Sequence, residues 1–228
     1  MVMLRFLRRL VLAGLVLALT PLVLAPIYTV VTPISTRMVW RMVTLQGYER
    51  TIVPLEQVAR AVPAVLIASE DGQFCRHRGV DWRELMAVID DEDGPSRGAS
   101  TLPMQVARNL FLWQGDTGPT AILRKGLEIP LALMIDLVWS KRRMMEIYLN
   151  VAEWGPTGQF GIEAGAQRAF GKPAARLTTG EAALLVSILP NPIRRDARAP
   201  GPGVRRKAAI ITRRAGAADL SCLRLQDN

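Results

Sequence analysis

The sequence is poor in the side chains that bind transition metals, with one histidine and two cysteines among 228 residues. A single histidine, His77, excludes a site with several histidine ligands and is the one residue on which a Ser-His-Asp triad could rest. Cys75 and Cys222 lack the short spacing of zinc ligands, whereas an oxidising compartment would permit a disulfide between them. The sequence leaves open whether they meet.

Strand signals and internal repeats are also lacking. Alternation of apolar and polar residues is weak after the first 40 residues, whereas apolar residues recur at helical spacing. The length suffices for one well-buried domain and one additional element, but not for two full-sized domains. We therefore predict a mainly α fold.

Charged residues are absent from Leu10 to Ile34, a run longer than the roughly 20 apolar residues that span a bilayer. Three arginines precede this run within the first nine residues, so the positive-inside rule predicts a single-pass helix with its N-terminus in the cytoplasm. The remainder would then be exported. A cleaved signal peptide is the alternative, although its apolar region is usually only about 7–15 residues long.

Positive charge is concentrated at both ends of the chain. Residues 1–40 contribute four of the nine net positive charges. Residues 194–214 contain eight basic residues and one acidic residue. Such a cluster suits nucleic acid, anionic lipid or phosphate. Export argues against nucleic acid, so contact with lipid and a solvated tail remain as alternatives.

These observations predict five segments. They are a cytoplasmic tail at 1–9, a transmembrane anchor at 10–36, a linker at 37–54, a main domain at 55–200 and a basic C-terminal tail at 201–228.

Polar residues able to carry chemistry follow an apolar helix predicted to begin near Pro63 and to stop at Gly72. Glu70 lies at the end of this helix. Farther along, the glycine- and acid-rich residues 90–98 predict a loop of the kind that acts as a lid. Arg124 and Glu128 are four residues apart in a helical run, which places them on one face.

Four motifs resemble, in order and spacing, the signatures of the family 51 peptidoglycan glycosyltransferases. They are Glu70-Asp71-x-x-Phe74-x-x-His77-x-Gly79-x-Asp81, Gly98-Ala99-Ser100-Thr101-Leu102-x-x-Gln105-x-x-Arg108-Asn109, Arg124-Lys125-x-x-Glu128 and Lys141-Arg142-Arg143-Met144-Met145-Glu146-Ile147-Tyr148-Leu149-Asn150. One such motif is weak evidence, but four in order are specific. The resemblance covers roughly residues 55–195, and the absence of a following penicillin-binding domain makes the chain most similar to the monofunctional members.

The resemblance implies a lysozyme-like helical domain that polymerises lipid II by inverting transfer with loss of undecaprenyl pyrophosphate. Glu70 would be the base that deprotonates the acceptor hydroxyl, with Glu128 as the second catalytic acid. The implied substrate-binding residues are Ser100, Thr101, Gln105, Arg108, Asn109, Arg124 and Lys125, and the implied supporting residues are Asp71, Phe74 and His77.

The same resemblance implies lipid II, the growing glycan strand, the cytoplasmic membrane and other wall-synthesis proteins as partners. It leaves open whether Glu128 acts through a divalent cation, Mg²⁺ or Mn²⁺, or only orients Arg124 or Lys125. Pro103, Met104 and Arg108 depart from the family pattern, which commonly has polar residues at the first two positions and lysine at the third. Arginine still binds phosphate, with a fork in place of a point charge.

Two other functions fit parts of the sequence. A lysozyme-like enzyme that cleaves peptidoglycan would also use glutamates in a helical domain. A non-catalytic scaffold of the wall-synthesis machinery is the other, but such a protein would have no need for intact acids at Glu70 and Glu128.

Overall fold

The computed structural model describes residues 2–91, 98–114 and 118–225. Its helices are α1 (Val2–Ile27), α2 (Thr36–Val43), α3 (Ala61–Glu70), α4 (Trp82–Ile89), α5 (Leu102–Phe111), α6 (Pro119–Val138), α7 (Lys141–Val151), α8 (Ile162–Phe170), α9 (Thr179–Ile188) and α10 (Pro202–Ala215). Two short strands, β1 (Glu49–Arg50) and β2 (Gln159–Phe160), pair in parallel. The predicted mainly α fold is confirmed.

Two groups of helices form the domain. In one, α9 and α10 pack against each other and against α3; in the other, α5 packs against α6 and α7. Apolar residues of α3 and α9 such as Leu66 and Leu185 are fully buried, so a continuous core runs between the groups. Because Glu70 ends α3, this packing places it where the two groups face each other.

Helix α1 contains a segment, Arg5–Ile27, that is long and apolar enough to cross a membrane. Its C-terminal end is fixed to the domain, since Trp139 Nε1 donates to the Ala25 carbonyl at 2.7 Å and Arg143 Nε to the Tyr28 carbonyl at 3.0 Å. Side chains of the domain thus donate hydrogen bonds to carbonyls at the end of α1. The helix ends at Ile27, whereas the predicted anchor extended to residue 36.

Residues 37–54, predicted as a linker, fold onto the domain. Helix α2 lies there with Met38 completely buried, and Asn150 receives a hydrogen bond from Val53 N at 3.0 Å and donates to the Val53 carbonyl at 2.8 Å. The reason is that this segment pairs with α7 and β2, which lie far along the sequence.

The segment predicted as a basic C-terminal tail, as far as residue 225, is also folded onto the domain. Helix α10 buries Ala208, Ile211 and Ala215, while its arginines face solvent. Cys222, which follows α10, forms a disulfide with Cys75, 147 residues earlier and just after α3. The alternation of small apolar and basic residues is therefore that of an amphipathic helix packed on the core.

Residues 92–97 of the predicted lid lie outside the described part of the chain.

Gly79, in the loop before α4, has φ +68°, and a Cβ there would lie 2.8 Å from the Ala132 carbonyl oxygen. A larger residue would therefore push the loop that follows Glu70 away from α6.

We predict that replacing both Cys75 and Cys222 with serine lowers the free energy of unfolding by about 2–4 kcal/mol, because the disulfide closes a long loop in the unfolded chain. Denaturant unfolding of the oxidised protein and the double variant measures this difference. The wild-type protein in reductant is the control and should match the variant. Equal midpoints for oxidised and reduced wild-type protein would contradict the prediction.

Candidate active site

A cleft of about 830 Å³ opens between the two groups of helices. Its lining includes five of the residues singled out from the sequence, namely Glu70, Ser100, Gln105, Arg108 and Asn109. It also includes residues outside the predicted set, among them Arg37, Tyr148, Glu153, Arg194 and Lys207.

Glu70 ends α3 with its carboxylate in this cleft. Ser69 Oγ donates to Glu70 Oε1 at 2.8 Å, and Gln105 Nε2 donates to Oε2 at 3.2 Å. Lys207 Nζ lies 3.4 Å from Oε1 and is its cationic partner. Each carboxylate oxygen thus has a partner while the side chain stays within reach of a substrate in the cleft.

Gln105 is held from its other end by Tyr148, whose hydroxyl donates to Gln105 Oε1 at 2.9 Å. Burial raises the pKa of Tyr148, the negative charge of Glu70 raises it further, and Arg108 opposes the shift. Tyr148 therefore stays protonated and fixes which end of the Gln105 amide faces Glu70. Gln105 therefore contacts Glu70 and also lines the cleft.

Asp71 is buried and joins two of the motifs. Its Oδ2 accepts from the Leu102 backbone N–H at 2.8 Å, and His77 Nε2 lies 2.8 Å from Oδ1. Leu102 is the first residue of α5, so the Asp71 carboxylate interacts favourably with the positive end of the helix dipole. The same carboxylate fixes the loop after Glu70. Asp71 and His77 thus connect the loop after Glu70 to the start of α5.

Phe74 is completely buried, and Lys141 Nζ lies 4.9 Å from the centre of its ring. This cation–π contact ties the first motif to the start of α7. Lys141 also forms an ion pair with Asp136 at 2.7 Å, so its charge is balanced away from the cleft.

Thr101 caps α5 and does not line the cleft. Its hydroxyl donates to the Gly79 carbonyl at 2.6 Å and accepts from Met104 N at 3.4 Å, and the residue is buried. The predicted substrate contact is thus replaced by a structural one, because a threonine directly before a helix satisfies its free N–H groups.

Glu128 is completely buried between two cations. Its Oε1 accepts from Arg124 Nη1 and its Oε2 from Lys125 Nζ, each at 2.9 Å. Lys125 Nζ also donates to Ser100 Oγ, which lies in the cleft lining. The third motif therefore presents positive charge next to the cleft, with Glu128 holding the two cations in place.

These residues do not fit a divalent cation at Glu128, because both carboxylate oxygens already accept hydrogen bonds from cations. No group of three or more His, Cys, Asp or Glu side chains suited to a metal ion occurs among residues 2–91, 98–114 and 118–225. In the structure Glu128 accepts one hydrogen bond from Arg124 and one from Lys125, which orients both cations.

Residues of the first, second and fourth motifs line this cleft, and the third motif adjoins it through the contact of Lys125 with Ser100. In comparisons with known proteins, residues 37–215 match the family described as Transglycosylase. The chain belongs to the transglycosylase family. Its match begins at Arg37 and ends at Ala215, so it takes in α2 and α10, as the packing of these two helices on the domain would require.

Curated relatives resemble the chain over nearly its whole length. Proteins named biosynthetic peptidoglycan transglycosylase from Agrobacterium fabrum and Nitrobacter winogradskyi are 53% and 50% identical to it over 214 and 218 residues, covering 92% and 95% of both chains. A relative of the same name from Rhodopseudomonas palustris strain HaA2 is 52% identical over 95% of both chains.

Sequence reasoning missed Arg37, Glu153 and Lys207. Lys207 lies 137 residues from Glu70 within a run that also suits a solvated tail, so no local signal marks it. Arg37 follows the apolar run and forms an ion pair with Glu153 at 2.6 Å. Burial raises the pKa of Glu153, while Arg37 and Arg41 lower it.

Lys125 provides a test by pH. Burial lowers its pKa, Arg108 and Arg124 lower it further, and Glu128 opposes them. The ammonium charge is therefore lost at lower pH than that of an exposed lysine, and activity that needs the charge falls on the alkaline side. We predict that Lys125→Arg moves the alkaline limb of the kcat/KM profile to higher pH, since arginine keeps its proton.

The measurement is the pH profile of both proteins from neutral pH upward. An alkaline limb that does not move in Lys125→Arg would show that a group other than Lys125 sets it.

Proposed function

We infer that this chain is a peptidoglycan glycosyltransferase that polymerises lipid II by inverting transfer, with Glu70 as the base and undecaprenyl pyrophosphate as the leaving group. Glu70 Oε takes the proton of the acceptor hydroxyl as that oxygen bonds to the anomeric carbon of the donor. The bond from that carbon to the pyrophosphate oxygen breaks at the same time, and the electron pair leaves with the pyrophosphate.

The observation that carries this proposal is the different surroundings of the two glutamates. Glu70 lies in the cleft, whereas Glu128 is fully buried and each of its oxygens faces a cation. A pyrophosphate leaving group needs neutralisation of charge more than it needs a proton, and buried cations supply that neutralisation. One base and one cationic group are sufficient for the reaction.

Cleavage of finished peptidoglycan is less consistent with this geometry. A glycosidase must protonate a poor alkoxide leaving group and needs a carboxylic acid directed at it. Glu128 accepts hydrogen bonds from Arg124 and Lys125 on both oxygens, so neither oxygen is directed at a leaving group. The relatives are also named for biosynthesis.

The substrate-binding set follows from the same geometry. Arg108 lines the cleft, and Lys125 adjoins it through Ser100. Arg124 shares the carboxylate of Glu128 with Lys125, and we propose that these three cations hold the donor pyrophosphate. Asn109 lies one residue beyond Arg108 and offers its amide to the same region. Lys207, facing Glu70, would help hold the base and the acceptor hydroxyl in place.

The prediction for Glu70 is that Glu70→Gln lowers the rate of lipid II polymerisation by about 10²–10⁴-fold, the usual cost of losing a general base. Binding of lipid II should change little, because the amide has the same shape. Polymer formed in vesicles and binding of lipid II are measured separately, and Glu56→Gln, at an exposed glutamate outside the cleft lining, is the matched control.

Full polymerisation by Glu70→Gln would overturn the assignment of the base. Incubation of the wild-type protein with finished peptidoglycan tests the alternative function: soluble fragments without new polymer would replace transfer by cleavage.

The membrane is the proposed location of this reaction. Helix α1 has the length and composition of an anchor, and α6, which contacts it, exposes Ile122, Leu123 and Leu127. Trp40 and Val43 of α2 are exposed just beyond the anchor. These apolar surfaces would meet the outer leaflet of the cytoplasmic membrane, where a substrate with a long lipid tail is confined.

We propose that residues 5–27 form the anchor, that the N-terminus is cytoplasmic and that residues 36–225 form the exported domain. The basic excess at Arg5, Arg8 and Arg9 supports this orientation. Other wall-synthesis proteins remain partners proposed from the family resemblance alone.

The anchor is expected to remain on the mature protein, because its apolar run exceeds that of a signal peptide and its end is fixed to Trp139 and Arg143. The intact mass of protein extracted from membranes measures this. A protein that lacks about its first 25 residues and is released by a salt wash would show that the segment is a cleaved signal.

A further inference from the structure

Arg37 lies outside the four motifs and yet lines the cleft. It is the second residue of α2, whose first turn is attached to the end of α5. Thr36 Oγ1 lies 2.8 Å from the Leu112 carbonyl oxygen and 3.3 Å from the Asn109 carbonyl oxygen, and it can donate to either. This attachment places Arg37 beside the end of α5 that carries Arg108 and Asn109.

Positive charge exceeds negative charge around Arg37. Glu153 is buried and lies between two arginines, 2.6 Å from Arg37 Nε and 3.8 Å from Arg41 Nη1. Arg41 is engaged elsewhere, since its Nε and Nη2 donate to the carbonyls of Gly47 and Thr157. Two positive charges thus share one carboxylate, and Arg37, 29% exposed, is the one that faces the cleft.

The position of Arg37 in the sequence indicates how close it lies to the bilayer surface. It follows the last residue of the proposed anchor by ten positions, and the anchor end is held to the domain by Trp139. With α1 in the bilayer, this short connection keeps Arg37 on the membrane side of the domain. The phosphates of a lipid-linked sugar lie on that same side, because its hydrocarbon tail stays in the bilayer.

We propose that Arg37 is a further ligand of the substrate's pyrophosphate, on the membrane side of the domain, and that Glu153 holds Arg37 in position. An arginine suits this task because its planar guanidinium can bind two phosphate oxygens at once. The inference rests on the proposed function, since it assigns one more residue to the donor site of the same reaction.

The test uses the full-length protein in vesicles, with lipid II as substrate. Arg37→Gln should raise KM about tenfold and leave kcat within about twofold, because the contact is made in the ground state and the transition state alike. Arg37→Lys should recover part of the loss, since it restores the charge without the fork. Arg83→Gln is the matched control, because Arg83 is exposed on α4 outside the cleft lining.

Glu153→Gln tests the positioning role. Its amide oxygen can still accept from Arg37 without the charge, so the increase in KM should lie between those of wild type and Arg37→Gln, with kcat unchanged. Thermal unfolding of each variant is recorded alongside. A rise in KM in Arg37→Gln with an unchanged midpoint supports a ligand, whereas a fall in kcat alone would overturn the proposal.

Competition experiments distinguish the possible sources of the phosphate that Arg37 binds. If Arg37 binds the substrate's lipid-linked pyrophosphate, farnesyl pyrophosphate should inhibit wild type about tenfold more strongly than Arg37→Gln, and farnesol should not discriminate. Two results would assign the effect to anionic lipid headgroups and overturn the proposal. One is an equal rise in KM in Arg83→Gln, and the other is a KM that depends on Arg37 only in vesicles rich in phosphatidylglycerol. Discrimination by inorganic pyrophosphate but not by farnesyl pyrophosphate would assign the site to a free anion instead.

The two levels of inference fail in different ways. If the wild-type protein forms no polymer from lipid II, the proposed function fails. If wild type polymerises lipid II and Arg37→Gln has the same KM, only the role of Arg37 fails.

Discussion

The position of the active-site loop depends on the buried carboxylate of Asp71. It accepts a hydrogen bond from the first backbone N–H of α5 and contacts His77, and burial of a negative charge is tolerated because both partners compensate it. The residue before it, Glu70, is thereby fixed at the end of α3. With Gln105 on α5, the same connection brings the amide that contacts Glu70 into range. One carboxylate thus determines how the two groups of helices meet at the cleft.

Around this connection, charge is divided between two sites. Glu70 is in the cleft and has Lys207 as its partner, while Glu128 is fully buried and balances Arg124 and Lys125. A reaction that removes a proton at one point and releases a pyrophosphate at another requires this separation.

Helices that lie outside the motifs complete the cleft. Helix α10 brings Lys207 to Glu70, and the disulfide between Cys75 and Cys222 joins the segment after α10 to the loop after α3. At the other end, α2 connects the proposed anchor to α5 and presents Arg37. The cleft is thus held between the membrane segment and the C-terminal segment, which accounts for a family match extending over residues 37–215.

The sequence by itself determined the mainly helical fold through its apolar periodicity, and it indicated the reaction class through four motifs that resemble the signatures of a known family. The pairing of Arg124 with Glu128, for example, follows from one turn of helix. Only the tertiary structure decided that Lys207 faces Glu70, that Arg37 lines the cleft and that Gln105 contacts Glu70. Each of these depends on contacts between segments more than 30 residues apart, whose packing is set by the whole core, and no local spacing records it.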